Sequence, residues 1–221
     1  MWYEVVERLD PGEFTMYLLD FRGCGLSDRP RNAESHEAYA ADLRTALDAI
    51  GSPATIVGHS MGGRLAQYVA TQRPSNLERL ILVASGTAKT LRLTPGRNAR
   101  ALQTYGSRAQ IERFQRAAMR RDVAPAVMER IVEDALVASY DHWAGVETRG
   151  AADFSGALAR IDVPVLAIAG AEDPLAPPAQ VKREVAGAIE GALFVQLRDA
   201  GHNLPIETPD DIAEAVRRFG Q

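Results

Sequence analysis

Trp2, Val5, Val6 and Leu9 stand at i, i+3, i+4 and i+7, a spacing that predicts a helix over 2–9 with one buried stripe, ended by Pro11-Gly12. TMYLLD (15–20) predicts a strand, and RGCGLSDRP (22–30), punctuated by glycine and proline, a loop. A helix over about 36–50 puts Tyr39, Leu43, Leu47 and Ile50 on one side and stops at Gly51. ATIVG (54–58) reads as a buried strand, 61–72 as a helix closed by Pro74, and LERLILVAS (77–85) as a further strand. The strand-like runs then cease, and 88–150 carries only helical patterns, among them Ile111, Phe114, Ala118 and Val127, Ile131, Val132, Leu136. The rhythm returns with VPVLAIAG (163–170), a helix around 178–189, LFVQL (193–197) and a final helix near 209–219 with Ile212, Val216 and Phe219.

This alternation predicts an α/β fold, a doubly wound and mostly parallel sheet covered by helices on both faces. The core is expected from 1–87 and 151–221, with 88–150 as a helical insertion. At 46% hydrophobic and 24% charged, 221 residues are long enough for one large domain carrying such an insertion. The net charge of −4 argues against a nucleic-acid partner, which would call for a basic excess. The locally arginine-rich stretch 89–130 is interspersed with Glu112, Asp122 and Glu129 and reads as a solvated helix face. With Cys24 alone, neither an internal disulfide nor a thiolate zinc cluster can form, which fits a reducing compartment. MWYEVVERLD lacks the basic and apolar regions of a signal peptide, and no apolar run approaches the ~18 residues needed to span a membrane. A cytoplasmic protein with a small-molecule substrate and no membrane partner is expected.

VGHSMGG (57–63) sets Ser60 between a strand ending at Gly58 and a helix starting at Met61. That is the strand, tight turn, helix setting of a nucleophile elbow, with Gly58 and Gly62 allowing a strained backbone that exposes the hydroxyl. A serine hydroxyl is a weak nucleophile at neutral pH and needs a base in reach, itself oriented by a third group. His202, in DAGHNLPIETP just after 193–197, faces the same crevice as the elbow, because loops at the carboxyl ends of parallel strands converge there. Asp173, in AGAEDPLAPP after 163–170, is placed to accept the other ring N–H; Glu172 is the neighbouring alternative, and Asp-Pro is also turn chemistry. His59 diverges from Ser60 in the tight turn and is assigned to packing or the substrate pocket; His142 of the insertion is expected to be solvated or to cap a helix, or else to line the substrate pocket beside Trp143, which is a candidate for either the pocket or the helix core. His36 is expected to be solvated or to cap a helix. Phe114, Met119 and Tyr140 are candidates for either the pocket or the helix core.

Four ordered segments resemble the α/β-hydrolase superfamily: DFRGCGLSDRP (20–30) is similar to its D-x-R-G-x-G-x-S-x-x-P loop, VGHSMGG to its elbow, and AGAEDPLAP and DAGHNLPIETP to its acid and histidine segments. The order Ser60, Asp173, His202 is that family's order of nucleophile, acid and base. The resemblance implies that 88–150 is a helical cap over the active site, and that no metal or organic cofactor is needed. Serine at position 60 points away from dehalogenases and epoxide hydrolases, which use aspartate there. It points to ester hydrolases, enol-lactonases, C–C bond hydrolases of ring-cleavage products and cofactor-free haloperoxidases. The expected reaction is hydrolysis of a carboxylic ester or lactone through an acyl-enzyme, with C–C hydrolysis or acyl transfer on the same residues as alternatives. The resemblance further implies that the Met61 N–H binds the oxyanion.

Family members usually carry several strands and a His-Gly-type loop before a helix resembling 2–9, and here the chain begins with that helix. An incomplete chain or misassigned start is therefore expected. The second oxyanion donor of the family has no counterpart in the sequence, and losing one such donor costs ~3 kcal/mol, about 100-fold or more in rate. This raises a further alternative, a non-catalytic protein that binds a small molecule. A family strand between those matching 15–20 and 54–58 is also missing, so those two segments are expected either to pair directly or to leave a gap.

Overall fold

Four strands, β1 (Ala54–His59), β2 (Leu77–Val83), β3 (Val165–Gly170) and β4 (Leu193–Leu197), pair in parallel in the order β1-β2-β3-β4. The structure is a computed structural model and describes residues 1–31, 35–89, 105–143 and 153–220. Alternate side chains of β2 enter two different cores, which is why its sequence reads as an unbroken apolar run. Leu80 and Leu82 pack with Ala167, Ala169, Leu158 and Val181 on one face. Ile81 and Val83 pack with Leu166, Ile168, Val5, Leu204 and Ile212 on the other. All four β2 residues are fully buried, each contributing ~1.5–3 kcal/mol of apolar transfer. β4 lies at an edge, and its Leu193 and Val195 remain exposed.

Helices cover both faces. α1 (Tyr3–Val6) continues as turns to Leu9 and buries Val5 and Leu9. In α2 (His36–Ile50), the Ala38 N–H donates to the Ser35 hydroxyl at 3.1 Å, and the helix ends on Gly51 at φ 66°. α3 (Met61–Ala70) links β1 to β2, and its Leu65, Ala66 and Val69 are buried. Between β2 and β3 the described residues 105–143 hold α4 (Arg108–Ala118) and α5 (Pro125–Leu136), which pack through Ile111, Met128 and Val132. Met119 joins that cluster, whereas Phe114 and Tyr140 are exposed. The rest of the expected insertion, 90–104 and 144–150, lies outside the described residues. Two arginines of α4 pair with carboxylates: Arg108 with Glu129 and Glu133, and Arg116 with Glu112. That is the solvated face their spacing predicts.

Beyond β3, the helix expected over 178–189 is shorter: α6 (Pro178–Glu184) gives way to a 3-10 turn at Ala186–Ala188, where Gly187 weakens helix propensity. A short α7 (Leu204–Glu207) precedes α8 (Pro209–Phe219). The strand expected at 15–20 does not form. Residues 15–20 enter no ladder, and among the described residues β1 pairs with β2 alone. Phe14 and Met16 reach the core, while Tyr17, Leu18 and Leu19 stay exposed. An apolar run becomes a strand only where a neighbour pairs with its N–H and C=O groups, and among the described residues none does. Of the two outcomes foreseen for 15–20 and 54–58, direct pairing is thus not the one adopted. Among the described residues no helix is long and apolar enough to cross a membrane.

Candidate active site

β1 runs into α3 through Ser60, whose backbone sits at φ 53° and ψ −115°. A non-glycine residue there is strained, and three bonds hold it: the Ser60 N–H donates to the Val83 carbonyl at 2.9 Å, and the Ser60 carbonyl accepts from Gly86 at 3.0 Å and Arg64 at 3.1 Å. The crossing of strand and helix depends on Gly58 and Gly63. A Cβ on Gly58 would meet the Gly62 carbonyl oxygen and the Gly63 Cα at 2.7 Å; one on Gly63 would meet Ser85 Oγ at 2.5 Å. Gly62, the glycine of the G-x-S-x-G spacing, has room: its nearest neighbour would be Phe21 Cζ at 3.7 Å. The second glycine of the sequence pattern is thus not the one that the packing requires.

Three of the residues singled out in the sequence meet at this point. His202 Nε2 lies 2.9 Å from Ser60 Oγ, and His202 Nδ1 lies 2.8 Å from Asp173 Oδ2. Asp173 follows β3 in a tight turn, and its other oxygen accepts the N–H groups of Leu175 and Ala176, both at 2.8 Å. One carboxylate oxygen is thereby held by the backbone, leaving the second for the imidazole. Both side chains are buried, so this interaction is shielded from water. Glu172, the alternative acid, instead pairs with Arg120 at 2.6 Å on the surface.

Met61 opens α3, so its N–H has no intrahelical acceptor and lies at the positive end of the helix dipole. His59 stands behind His202: its Nε2–H donates to the His202 carbonyl at 2.9 Å, and the two rings are 5.0 Å apart. Burial, then the neighbouring His202, pushes His59 down to about 3, so the ring is neutral at ordinary pH. His142 Nδ1 lies 2.8 Å from the Tyr39 hydroxyl of α2, and burial lowers its pKa while a bond to the Arg22 backbone opposes that shift. Through His142 and the bond from the Ser139 N–H to the Gly23 carbonyl, the 139–143 turn is fastened to the loop at 21–28. Trp143 lies in that same turn, half-buried, its N–H donating to the Ser139 carbonyl at 3.1 Å. His36 is neither solvated nor a cap; its ring packs on Tyr68 and Phe154, and burial lowers it to about 4.

The sequence pattern passed over Gln67 and Glu207. Gln67 ties α3 to the end of β2 by donating to Ser85 Oγ and the Gly86 carbonyl, each at 2.8 Å. Its signal was a polar residue on the buried side of an otherwise apolar helix.

The sequence profile of the Alpha/beta hydrolase family matches residues 1–215. The chain belongs to this family. The hydrolase is 30% identical to an enol-lactonase from Burkholderia xenovorans, whose crystal structure superposes with a TM-score of 0.77 over 90% of this chain and 78% of that one. It is 28% identical to a 3-oxoadipate enol-lactonase of Acinetobacter baylyi, with 98% of this chain and 82% of that protein covered. A non-heme chloroperoxidase of Streptomyces lividans is 26% identical, the match covering 86% of the hydrolase and 76% of the chloroperoxidase. The family expected from the four motif segments is therefore the one to which this α/β enzyme belongs.

Proposed function

We propose that the protein hydrolyses a carboxylic ester or lactone through an acyl-enzyme on Ser60. The observation that carries this reading is the run of contacts from Ser60 Oγ to His202 Nε2 at 2.9 Å and from His202 Nδ1 to Asp173 Oδ2 at 2.8 Å. Ser60 Oγ attacks the carbonyl carbon while His202 Nε2 takes its proton. The tetrahedral intermediate collapses with its C–O bond broken, and His202 returns the proton to the departing alkoxide, which in a lactone remains part of the same molecule. Water, deprotonated by His202, then cleaves the acyl-enzyme and restores Ser60. Asp173 keeps the ring proton on Nδ1 and stabilises the imidazolium. The Met61 N–H faces the oxyanion as one donor. The described part of the segment between β2 and β3, residues 105–143, serves as a cap over the site, and His59, His142 and Trp143 contribute to the walls of the substrate pocket, His59 from behind the base. The similarity to two enol-lactonases supports a lactone or ester over other acyl compounds. The single cysteine supports a reducing, cytoplasmic setting.

The test is labelling by a fluorophosphonate probe, followed by peptide mapping, together with turnover of a panel of esters, lactones and ring-cleavage diketones. Labelling at Ser60 with ester or lactone turnover, both lost in Ser60→Ala, is the expected outcome. A folded protein that the probe does not label overturns the acyl-enzyme, and turnover confined to the diketones overturns the substrate class.

A further inference from the structure

Glu207 is buried at the end of α7, and its carboxylate accepts four backbone N–H groups. Oε2 takes those of Gly201 at 2.9 Å, Arg120 at 2.7 Å and Arg121 at 3.1 Å. Oε1 takes that of Asn203 at 2.9 Å. Two of these donors immediately flank His202, and the other two follow α4. The His202 N–H itself donates to the Ala118 carbonyl at the end of α4, at 2.8 Å. Asn203 Nδ2 also donates to Gln115 of α4 at 2.7 Å. The two segments are in close contact: a Cβ on Gly201 would meet the Ala118 carbonyl oxygen at 2.6 Å and the Arg120 nitrogen at 2.8 Å.

The chemistry of these donors selects a carboxylate. A buried charge without a cation is tolerated when N–H dipoles surround it, and an ionised carboxylate offers two oxygens and no donor. An amide in its place would keep one oxygen and turn an NH2 group against one of the four N–H groups. From this arrangement we infer that Glu207 is a positioning residue for His202, and that it couples the base to α4 in the segment inserted between β2 and β3. A shift of α4 is transmitted to residues 201–203, and hence to the distance between His202 Nε2 and Ser60 Oγ. This inference rests on the role given to His202 above.

The test compares Glu207→Gln and Gln115→Ala with the parent by three readouts: kcat and KM for p-nitrophenyl butyrate, the rate of fluorophosphonate labelling at Ser60, and the proton NMR signal of His202 Nδ1–H. The amide of Glu207→Gln keeps its oxygen toward Gly201, Arg120 and Arg121 and opposes Asn203. The expected result is a kcat at least tenfold lower with KM within threefold, labelling slowed in parallel, and a displaced Nδ1–H signal. Gln115→Ala leaves Glu207 in place and is expected to move kcat and the signal in the same direction by a smaller factor. A folded Glu207→Gln protein with kcat within twofold and an unmoved signal overturns the inference. Should that variant not fold, an unchanged kcat and signal in Gln115→Ala overturns it instead. If the parent neither turns over nor labels, the hydrolytic reading has failed, and the His202 signal in the variants still decides whether Glu207 positions the ring.

Discussion

Asp173→Asn separates the geometry of the site from its proton arrangement. The side chain is fully enclosed, with Oδ1 held by the Leu175 and Ala176 N–H groups and Oδ2 2.8 Å from His202 Nδ1. Asparagine keeps its oxygen toward the two backbone donors and presents its NH2 group to the imidazole. Nδ1 must then accept, and the ring proton moves to Nε2, which faces Ser60 Oγ at 2.9 Å as a donor. No group remains to take the serine proton, and such a tautomer reversal lowers kcat by ~10⁴-fold, equivalent to ~5.5 kcal/mol of transition-state stabilisation. Stability should change by less than ~1 kcal/mol, since both backbone bonds persist, whereas Asp173→Ala leaves the buried Ala176 N–H without its acceptor at ~1–3 kcal/mol, and the part-buried Leu175 N–H at less. Steady-state hydrolysis of p-nitrophenyl butyrate and urea unfolding of both variants read these quantities. A folded Asp173→Asn protein with kcat within tenfold of the parent would refute the assignment of Asp173 as the orienting acid.

Packing at the elbow predicts that Gly63→Ala destabilises by ~1–3 kcal/mol, because its methyl group would collide with Ser85 Oγ and the Gly58 carbonyl. Gly62→Ala meets only ordinary contacts and should be neutral or stabilising by up to ~1 kcal/mol. Urea midpoints in the reverse order would show that the close crossing lies elsewhere. His59, held at about 3 when folded and titrating near ~6.5 when unfolded, makes stability pH-dependent. Between those values the unfolded chain binds the extra proton, so stability rises with pH through the window and is complete above it, by at most ~1.4 kcal/mol per pH unit. His59→Gln should reduce but not abolish the slope of the urea midpoint between pH 4 and 6.5, because burial also lowers His36 and His142 and both act in the same direction; an unaltered slope would count against the burial of a neutral His59.

β2 and β3 were legible because each is buried on both faces and so appears as a short continuous apolar run; β1, half-buried along most of its length, carries the same kind of run. Ser60, Asp173 and His202 were legible for a related reason: each directly follows a parallel strand, and strand ends in such a sheet converge. What escaped were facts settled by distant neighbours. TMYLLD has the composition of a strand, but only a pairing partner makes it one, and that is not a local property. α7 is too short to show a period. Glu207 left no pattern because it serves backbone N–H groups, which every residue except proline possesses. The choice between Gly62 and Gly63 turned on Ser85, more than twenty positions away along the chain.

The left-handed backbone at Ser60 also bears on how the protein would change under selection. A side chain at φ 53° and ψ −115° is held against a preference of ~1–3 kcal/mol, which glycine would release in part while removing the hydroxyl. Heat resistance and reactivity therefore draw this one position in opposite directions. A position-60 library sorted for thermal survival alone would enrich a glycine form without the hydroxyl on which the proposed reaction depends, so any campaign to harden the protein must score turnover in the same round.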